Sequence, residues 1–206
     1  RIISGTSLLS SPYSFIDSAE IQREAPLQVS EILNEVPGLY IKDYGGLSGL
    51  KTVSLRGTSA QQTLVMIDGM KLNSAQNGIS DLSSLPVSLL ESVEVVRGGA
   101  SAVFGGNAIG GVINFNTRDH DYKNRLKARI GYGSFERTLF SLSGSMKTDT
   151  LSVLSGVYQY SASAGGYRVK INHFGREQEI ERKNSDFSSH ALSAAYSGYI
   201  EDWNTH

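Results

Sequence analysis

The sequence predicts an α+β domain, a small mixed sheet with short helices, followed by a run of antiparallel β-strands. Three observations carry that reading. Val29, Ile32, Leu33 and Val36 recur at helical spacing. Asp68-Gly69 stands between two apolar runs, the pattern of a two-residue hairpin. From about Lys123 onward the helical period gives way to strict alternation, beginning with Leu126, Ala128, Ile130 and Tyr132.

Composition narrows the class before any element is placed. The 206 residues are 39% hydrophobic and 19% charged, enough apolar content for a packed core. Nineteen basic and twenty acidic residues leave a net charge of −1, so no bias toward nucleic acid is present. Cysteine is absent, which removes disulfides, thiolate metal sites and cysteine nucleophiles. Twenty-two glycines point to many tight turns. No run reaches the roughly 18 apolar residues of a membrane-spanning helix. That leaves open a β-barrel, whose strands carry a much weaker signal.

The elements follow in order. Phe15-Ile16 is a short apolar run. Asp17 and Glu20 have capping-box spacing, so a helix is expected through about Glu24, ended by Pro26. A second helix runs from Val29 to Val36 and stops at Pro37-Gly38. Leu39 to Ile41 starts a strand, residues 44–50 form a glycine-rich loop, and Val53 and Leu55 lie on a strand ending at Arg56-Gly57. Leu64 to Ile67 and Met70 to Leu72 are the arms of the Asp-Gly hairpin, and residues 73–80 are a polar loop. Pro86 opens a short helix through Leu90. Val93, Val95 and Val96 form a strand, residues 100–104 a single helical turn, and Val112, Ile113 and Phe115 another strand.

Four later segments alternate. Besides the set at Leu126, these are Phe140, Leu142, Gly144 and Met146; Leu151, Val153 and Val157; and Leu192, Ala194, Tyr196 and Ile200, each interleaved with serine or glycine. Their lengths suit strands that cross a bilayer, about 9–11 residues each. Residues 133–136 and 147–150 read as short turns, and residues 161–187 as one long charged connection. Tyr132, Phe135, Tyr158, Tyr160, Tyr196, Tyr199 and Trp203 lie near strand ends, as an interfacial aromatic girdle requires. The same alternation also fits a soluble β-sandwich.

Catalytic patterns do not assemble. His120, His173, His190 and His206 are too far apart in sequence for a zinc pair, and no G-x-S-x-G elbow, Walker motif or G-x-G-x-x-G is present. The expectation is a protein that is not an enzyme and uses no cofactor or metal.

Several segments resemble TonB-dependent outer-membrane receptors. Leu33-Asn34-Glu35-Val36-Pro37-Gly38-Leu39-Tyr40-Ile41 resembles the L-x-x-x-P-G-x-x-[IV] segment of their plug domains. Val53-Ser54-Leu55-Arg56-Gly57-Thr58 and the run from Leu64 to Asn73 resemble the R-G and D-G segments. Leu90 to Gly98, Ser101 to Gly105 and Ala108 to Asn114 resemble the closing E-x-V-E-V-x-R-G, S-A-x-[YF]-G and A-I-G-G-V-I-N signature. Gly99 departs from it, since many plugs carry proline there.

The resemblance implies a plug domain over residues 1–119, with 1–14 holding the remnant of a TonB box and linker. It makes residues 120–206 the first four or so strands of an outer-membrane barrel. Ile2, Ile3, Ser4 and Gly5 resemble the end of a TonB box, whose first part is missing. Through such a box TonB pairs by strand addition. The implied activity is uptake of a ferric siderophore, haem or cobalamin across the outer membrane of a Gram-negative bacterium. The implied substrate contacts are Tyr44, Gly45, Gly46, Leu47 and Ser48 in one loop and Asn73, Ser74, Gln76 and Asn77 in the other. Arg56 and Arg97 are expected to meet barrel carboxylates, with Glu91 or Glu94 as substitutes. Implied partners are the lipid bilayer and the remainder of the barrel, with no nucleic acid. Four strands leave two open edges, which lipid does not tolerate. The chain is therefore expected to be part of a longer receptor. The alternative is a stand-alone, soluble, plug-like periplasmic binding module.

Overall fold

The computed structural model describes residues 12–45, 49–117, 124–134, 136–149, 152–163, 168–173, 176–181 and 186–197. The chain divides into two compact units, Arg1–Asp119 and His120–His206.

In the first unit, β1 (Tyr13–Ile16) leads into α1 (Ser18–Glu24). Asp17 caps α1 by accepting from the Glu20 amide at 2.8 Å, which satisfies one of the helix's unpaired N-terminal donors. Ala25, in left-handed conformation, closes the other end ahead of Pro26. The second helix is shorter than its periodicity predicts. α2 covers only Val29–Leu33, and residues 34–38 turn toward Pro37. Val36 still reaches the core at 4% exposure, so the apolar spacing reported burial correctly and helix length incorrectly.

β2 (Leu39–Asp43) and β3 (Lys51–Leu55) pair antiparallel. β4 (Thr63–Ile67) and β5 (Met70–Lys71) form the Asp-Gly hairpin. Asp68 and Gly69 have φ of 47° and 80°, the two positive values that a type I′ turn requires. A 3₁₀ turn at Val87–Leu89 replaces the expected helix, and Leu90 already begins β6 (Leu90–Arg97). α3 (Ser101–Phe104) is the anticipated single turn, and β7 (Gly111–Thr117) follows. The central sheet has the order β1-β6-β7-β4-β5, with β4 parallel to β7 and the other pairs antiparallel.

One face of this sheet, including Val65, Val93, Val95, Ile113 and Phe115, packs with α1 and α2 side chains into the main core. On the other face Leu64, Met66, Val96 and Val112 pack with Ala100 and Ala108. Gly111, at φ +148°, is needed where β7 passes β6: a side chain there would overlap the Val96 carbonyl oxygen.

The second unit contains β8 (Arg125–Gly133), β9 (Arg137–Asp149), β10 (Ser152–Ser163), β11 (Arg168–His173), β12 (Arg176–Glu181) and β13 (Phe187–Ser197). Four of these form an antiparallel sheet in the order β13-β10-β9-β8. The expected turn at residues 147–150 is largely strand, because β9 runs to Asp149. The long charged connection contains a hairpin, β11 with β12, in which Lys170 faces Glu179 and Val169 faces Ile180. Charges across the hairpin hid its short apolar alternation.

One face of the four-stranded sheet is apolar and exposed. Leu126, Ile130, Tyr132, Leu142, Met146, Leu154, Leu192 and Tyr196 all lie on it. β10 contributes a different set from the expected one. Its outward residues are Leu154, Gly156, Tyr158 and Tyr160, while Val153 is 0% exposed on the opposite face. From Val153 to Ala162 the register with β9 is unbroken, so Val153 and Leu154 fall on opposite faces and Leu154 is the one in line with Tyr158.

Candidate functional site: two tied loops on the plug sheet

The two loops expected to meet substrate are built differently. At residues 44–50 the hairpin of β2 and β3 is closed by the Tyr44 amide donating to the Leu50 carbonyl at 3.0 Å. Asp43 holds its base with both carboxylate oxygens. One accepts from the Gly45 amide at 2.9 Å, and the other pairs with the Lys51 ammonium at 2.7 Å. The Lys51 side chain is almost fully buried and that of Asp43 half exposed, so the ammonium anchors the carboxylate from the inner side. Tyr44 is 55% exposed, with the Lys42 ammonium 4.7 Å above its ring. Gly46, Leu47 and Ser48 lie outside the described residues, as do Ile2, Ile3, Ser4 and Gly5.

The second loop folds on its own polar atoms. Asn73 Oδ1 accepts from the Val65 amide at 2.9 Å, and its Nδ2 donates to the carbonyls of Thr63 at 3.1 Å and Gly78 at 2.9 Å. The Asn73 side chain, expected to touch substrate, is thus engaged inside the loop. Its donors and its acceptor are committed to holding the loop against β4. Ser74 Oγ accepts from the Gln76 amide and Asn77 Oδ1 from the Ile79 amide, at 3.2 and 3.0 Å. Those contacts leave the Ser74 hydroxyl hydrogen and the Asn77 NH₂ for an outside partner. Gln76 is exposed between them.

Asp81 brings the loops together. Its carboxylate accepts from the Lys51 amide at 3.2 Å and from the Ser83 amide at 2.9 Å, tying the foot of the second loop to the start of β3. Gly78 also abuts the side chains of Gln61 and Asn107. Neither was singled out from sequence. Asn107 lies in the glycine-bracketed passage after α3, where composition signals turns and nothing more.

Arg56 and Arg97 bracket the turn at Pro37-Gly38. The Arg56 amide donates to the Gly38 carbonyl at 2.7 Å, and Arg97 Nη1 donates to the Pro37 carbonyl at 3.0 Å. The expected substitute pairing with Glu91 or Glu94 does not form. Glu94 is three residues from Arg97 on one strand and so points to the other face of the sheet. Glu91 lies six residues from Arg97, about 20 Å along β6. Arg56 has φ of 52°, and Gly57 has φ of 74°. With the Thr58 amide donating to the Leu55 carbonyl at 3.0 Å, the R-G pair forms the centre of a tight turn.

The site thus offers amides, hydroxyls and one exposed aromatic ring with the Lys42 ammonium above it. Among the described residues, no three histidine or acidic side chains gather as metal ligands would.

Residues 7–112 match the family model described as the TonB-dependent receptor plug domain. The chain belongs to this family. The vitamin B12 transporter BtuB of Vibrio vulnificus is 35% identical over 156 residues, which cover 76% of this chain and 25% of the transporter. Two solved structures share the fold. The ferric yersiniabactin uptake receptor FyuA of Yersinia pestis superposes with a TM-score of 0.64 at 24% identity, covering 90% of this chain and 28% of that one. The ferric-catecholate import receptor Fiu of E. coli K12 superposes at 0.67 with 15% identity, covering 92% and 25%. The chain is thus a plug domain followed by the opening strands of a receptor barrel, and it spans about a quarter of the curated relative's length.

Proposed function

We propose that this chain is the gate and first wall strands of a receptor that takes up a scarce substrate across the outer membrane of a Gram-negative bacterium. Cobalamin is the favoured substrate, ahead of ferric siderophores and haem. The observation that carries the reading is the pair of loops at residues 44–50 and 73–80, joined at the base through Asp81. Their bases are tied together, and their described residues offer amides and hydroxyls at strand ends, where binding residues concentrate. Such groups suit a ligand that is itself decorated with amides. The likeness to a vitamin B12 transporter points the same way.

In this reading Tyr44, Gly45, Ser74, Gln76 and Asn77 touch substrate, along with Gly46, Leu47 and Ser48, while Asn73 shapes the loop. TonB engages residues 2–5 by strand addition. Arg56 and Arg97 meet the barrel interior, and the exposed apolar face of β8, β9, β10 and β13 meets lipid. That face favours the membrane reading over a soluble periplasmic module.

The test is uptake of labelled cobalamin by cells whose only such receptor is the full-length protein. Uptake is expected to need TonB and the proton gradient. Deleting residues 46–49 is expected to weaken binding while leaving receptor abundance unchanged. Normal affinity in that variant would remove the loops from the site. Uptake of a ferric siderophore and not of cobalamin would overturn the substrate assignment.

A further inference from the structure

On the outward face of the four-stranded sheet, three polar-tipped side chains cluster within an apolar field. The Tyr158 hydroxyl lies 2.9 Å from His190 Nδ1. The Tyr160 ring packs on the imidazole with centroids 4.8 Å apart, and Phe140 lies 6.4 Å from Tyr158. His190 is exposed. The register places these residues in adjacent rows. Ala128, Leu142, Tyr158 and Leu192 form one row, and Ile130, Phe140, Tyr160 and His190 form the next. Beyond them come Tyr132, Thr138, Ala162 and Ser188. The imidazole thus stands where an apolar surface, with Ile130 and Leu192 each 82% exposed, gives way to hydroxyls.

We propose that His190, oriented by Tyr158 and flanked by Tyr160, binds the phosphate of a membrane lipid headgroup on the outer wall of the barrel. The proposal rests on the reading above that this face meets lipid. Tyr158 satisfies one ring nitrogen, and the other is unfavourable against hydrocarbon unless it too finds a polar contact. In the tautomer in which the Tyr158 hydroxyl donates to Nδ1, Nε2 carries the ring hydrogen and the exposed ring can donate it to an outside acceptor. A phosphate oxygen is the strongest acceptor available at a membrane surface, and hydrogen bonds to an ionised acceptor are the stronger kind. The neighbouring Leu142, Ile130 and Leu192 supply the surface along which acyl chains would lie. The occupant that fits both parts is an amphiphile with a phosphate at its head.

Native mass spectrometry of the full-length receptor in detergent tests this, with phosphatidylglycerol and a diacylglycerol of identical chains as probes. The receptor is expected to retain phosphatidylglycerol in preference to diacylglycerol. His190→Leu, which suits an apolar face and so preserves folding, is expected to reduce that preference about tenfold. Tyr158→Phe is expected to reduce it less, by releasing the ring from its orientation. Equal retention of the two lipids, or an unchanged preference in His190→Leu, would overturn the proposal. Quenching of a tryptophan in Leu192→Trp by lipids with brominated chains separates this outcome from failure of the membrane reading. Quenching without headgroup preference removes only the phosphate site, whereas absence of quenching removes the lipid-facing wall and the proposal with it.

Discussion

In the five-stranded sheet Val93, Val95, Ile113 and Phe115 are each 0% exposed, whereas in the four-stranded sheet Ile130 and Leu192 are each 82% exposed. In both sheets neighbouring strands pair through ladders, but the plug sheet carries apolar side chains on both faces and the second sheet carries its exposed ones on one. They differ in what those side chains face. The plug sheet uses its apolar rows to hold helices, loops and strands in one core, so its glycines and asparagines are chosen for close fit. The second sheet keeps small polar residues such as Ser141 and Ser143 on the face opposite its outward apolar row, where tight packing is not required of the large side chains. Substitutions of one kind should therefore have different effects in the two sheets, and that expectation can be broken in graded steps.

The largest effect is expected at Gly111. A side chain there overlaps the Val96 carbonyl oxygen and approaches Leu55 Cδ1 to 2.7 Å, at a φ that favours glycine. Gly111→Ala should destabilise the plug by about 3 kcal/mol or more. Gly144, on the outward face of β9, meets only ordinary contacts at 3.4 Å, so Gly144→Ala should be nearly neutral. Hydrogen exchange of β6 and β7 in the full receptor measures the first, and thermal unfolding compares both. Equal effects would remove the contrast between the sheets.

Asn73→Ala comes next. It strands the Val65 amide and the Thr63 and Gly78 carbonyls together, and about 2–3 kcal/mol of local stability should be lost. Gln76→Ala, on the same loop but exposed, should leave stability unchanged and weaken substrate binding. Protection of β4 amides and a binding isotherm separate the two.

Charging the outward face should cost somewhat less. Leu192→Lys is expected to destabilise the receptor in vesicles by about 2 kcal/mol, and Ser193→Lys on the other face by much less. Spin labels at positions 142 and 154 should be reached by a lipid-soluble quencher, and labels at 143 and 153 should not. A shared, water-dominated accessibility would mean that this sheet faces solvent on both sides.

Most of the plug's elements were legible because their signals are local. The Asp17 cap, the Asp68-Gly69 turn and the strands around Val53, Val93 and Ile113 each rest on residues within one segment. β1 was not legible as a strand. It has four residues, and its partner β6 lies about eighty residues away, so only tertiary pairing identifies it. Val153 was placed on the wrong face because Leu151, Val153 and Leu154 give apolar residues at both parities, and only the pairing with β9 and β13 chooses between them. The loop positions could be read from polarity and glycine content. The roles within them could not, because Asn73 and Asn77 are the same residue type and differ only in which hydrogen bonds the fold has already claimed.

The smallest effect, and the one that best separates stability from function, is expected at Arg56. A non-glycine residue at positive φ carries a conformational cost, and arginine has no short polar side chain to offset it. Asparagine tolerates this region better, so Arg56→Asn should raise plug stability by about 0.5–1 kcal/mol. The tight turn through Leu55, Arg56, Gly57 and Thr58 would be retained, since the Thr58 amide still reaches the Leu55 carbonyl. Among the described residues the Arg56 guanidinium has no hydrogen bond or ion pair, and Arg56 is exposed. If its role is to meet carboxylates of the barrel interior, the more stable variant should take up substrate more slowly. Arg56→Lys should recover little, because an ammonium does not reproduce a bidentate contact. Uptake measured beside thermal unfolding decides the matter: faster or unchanged uptake in Arg56→Asn would assign Arg56 no part in gating.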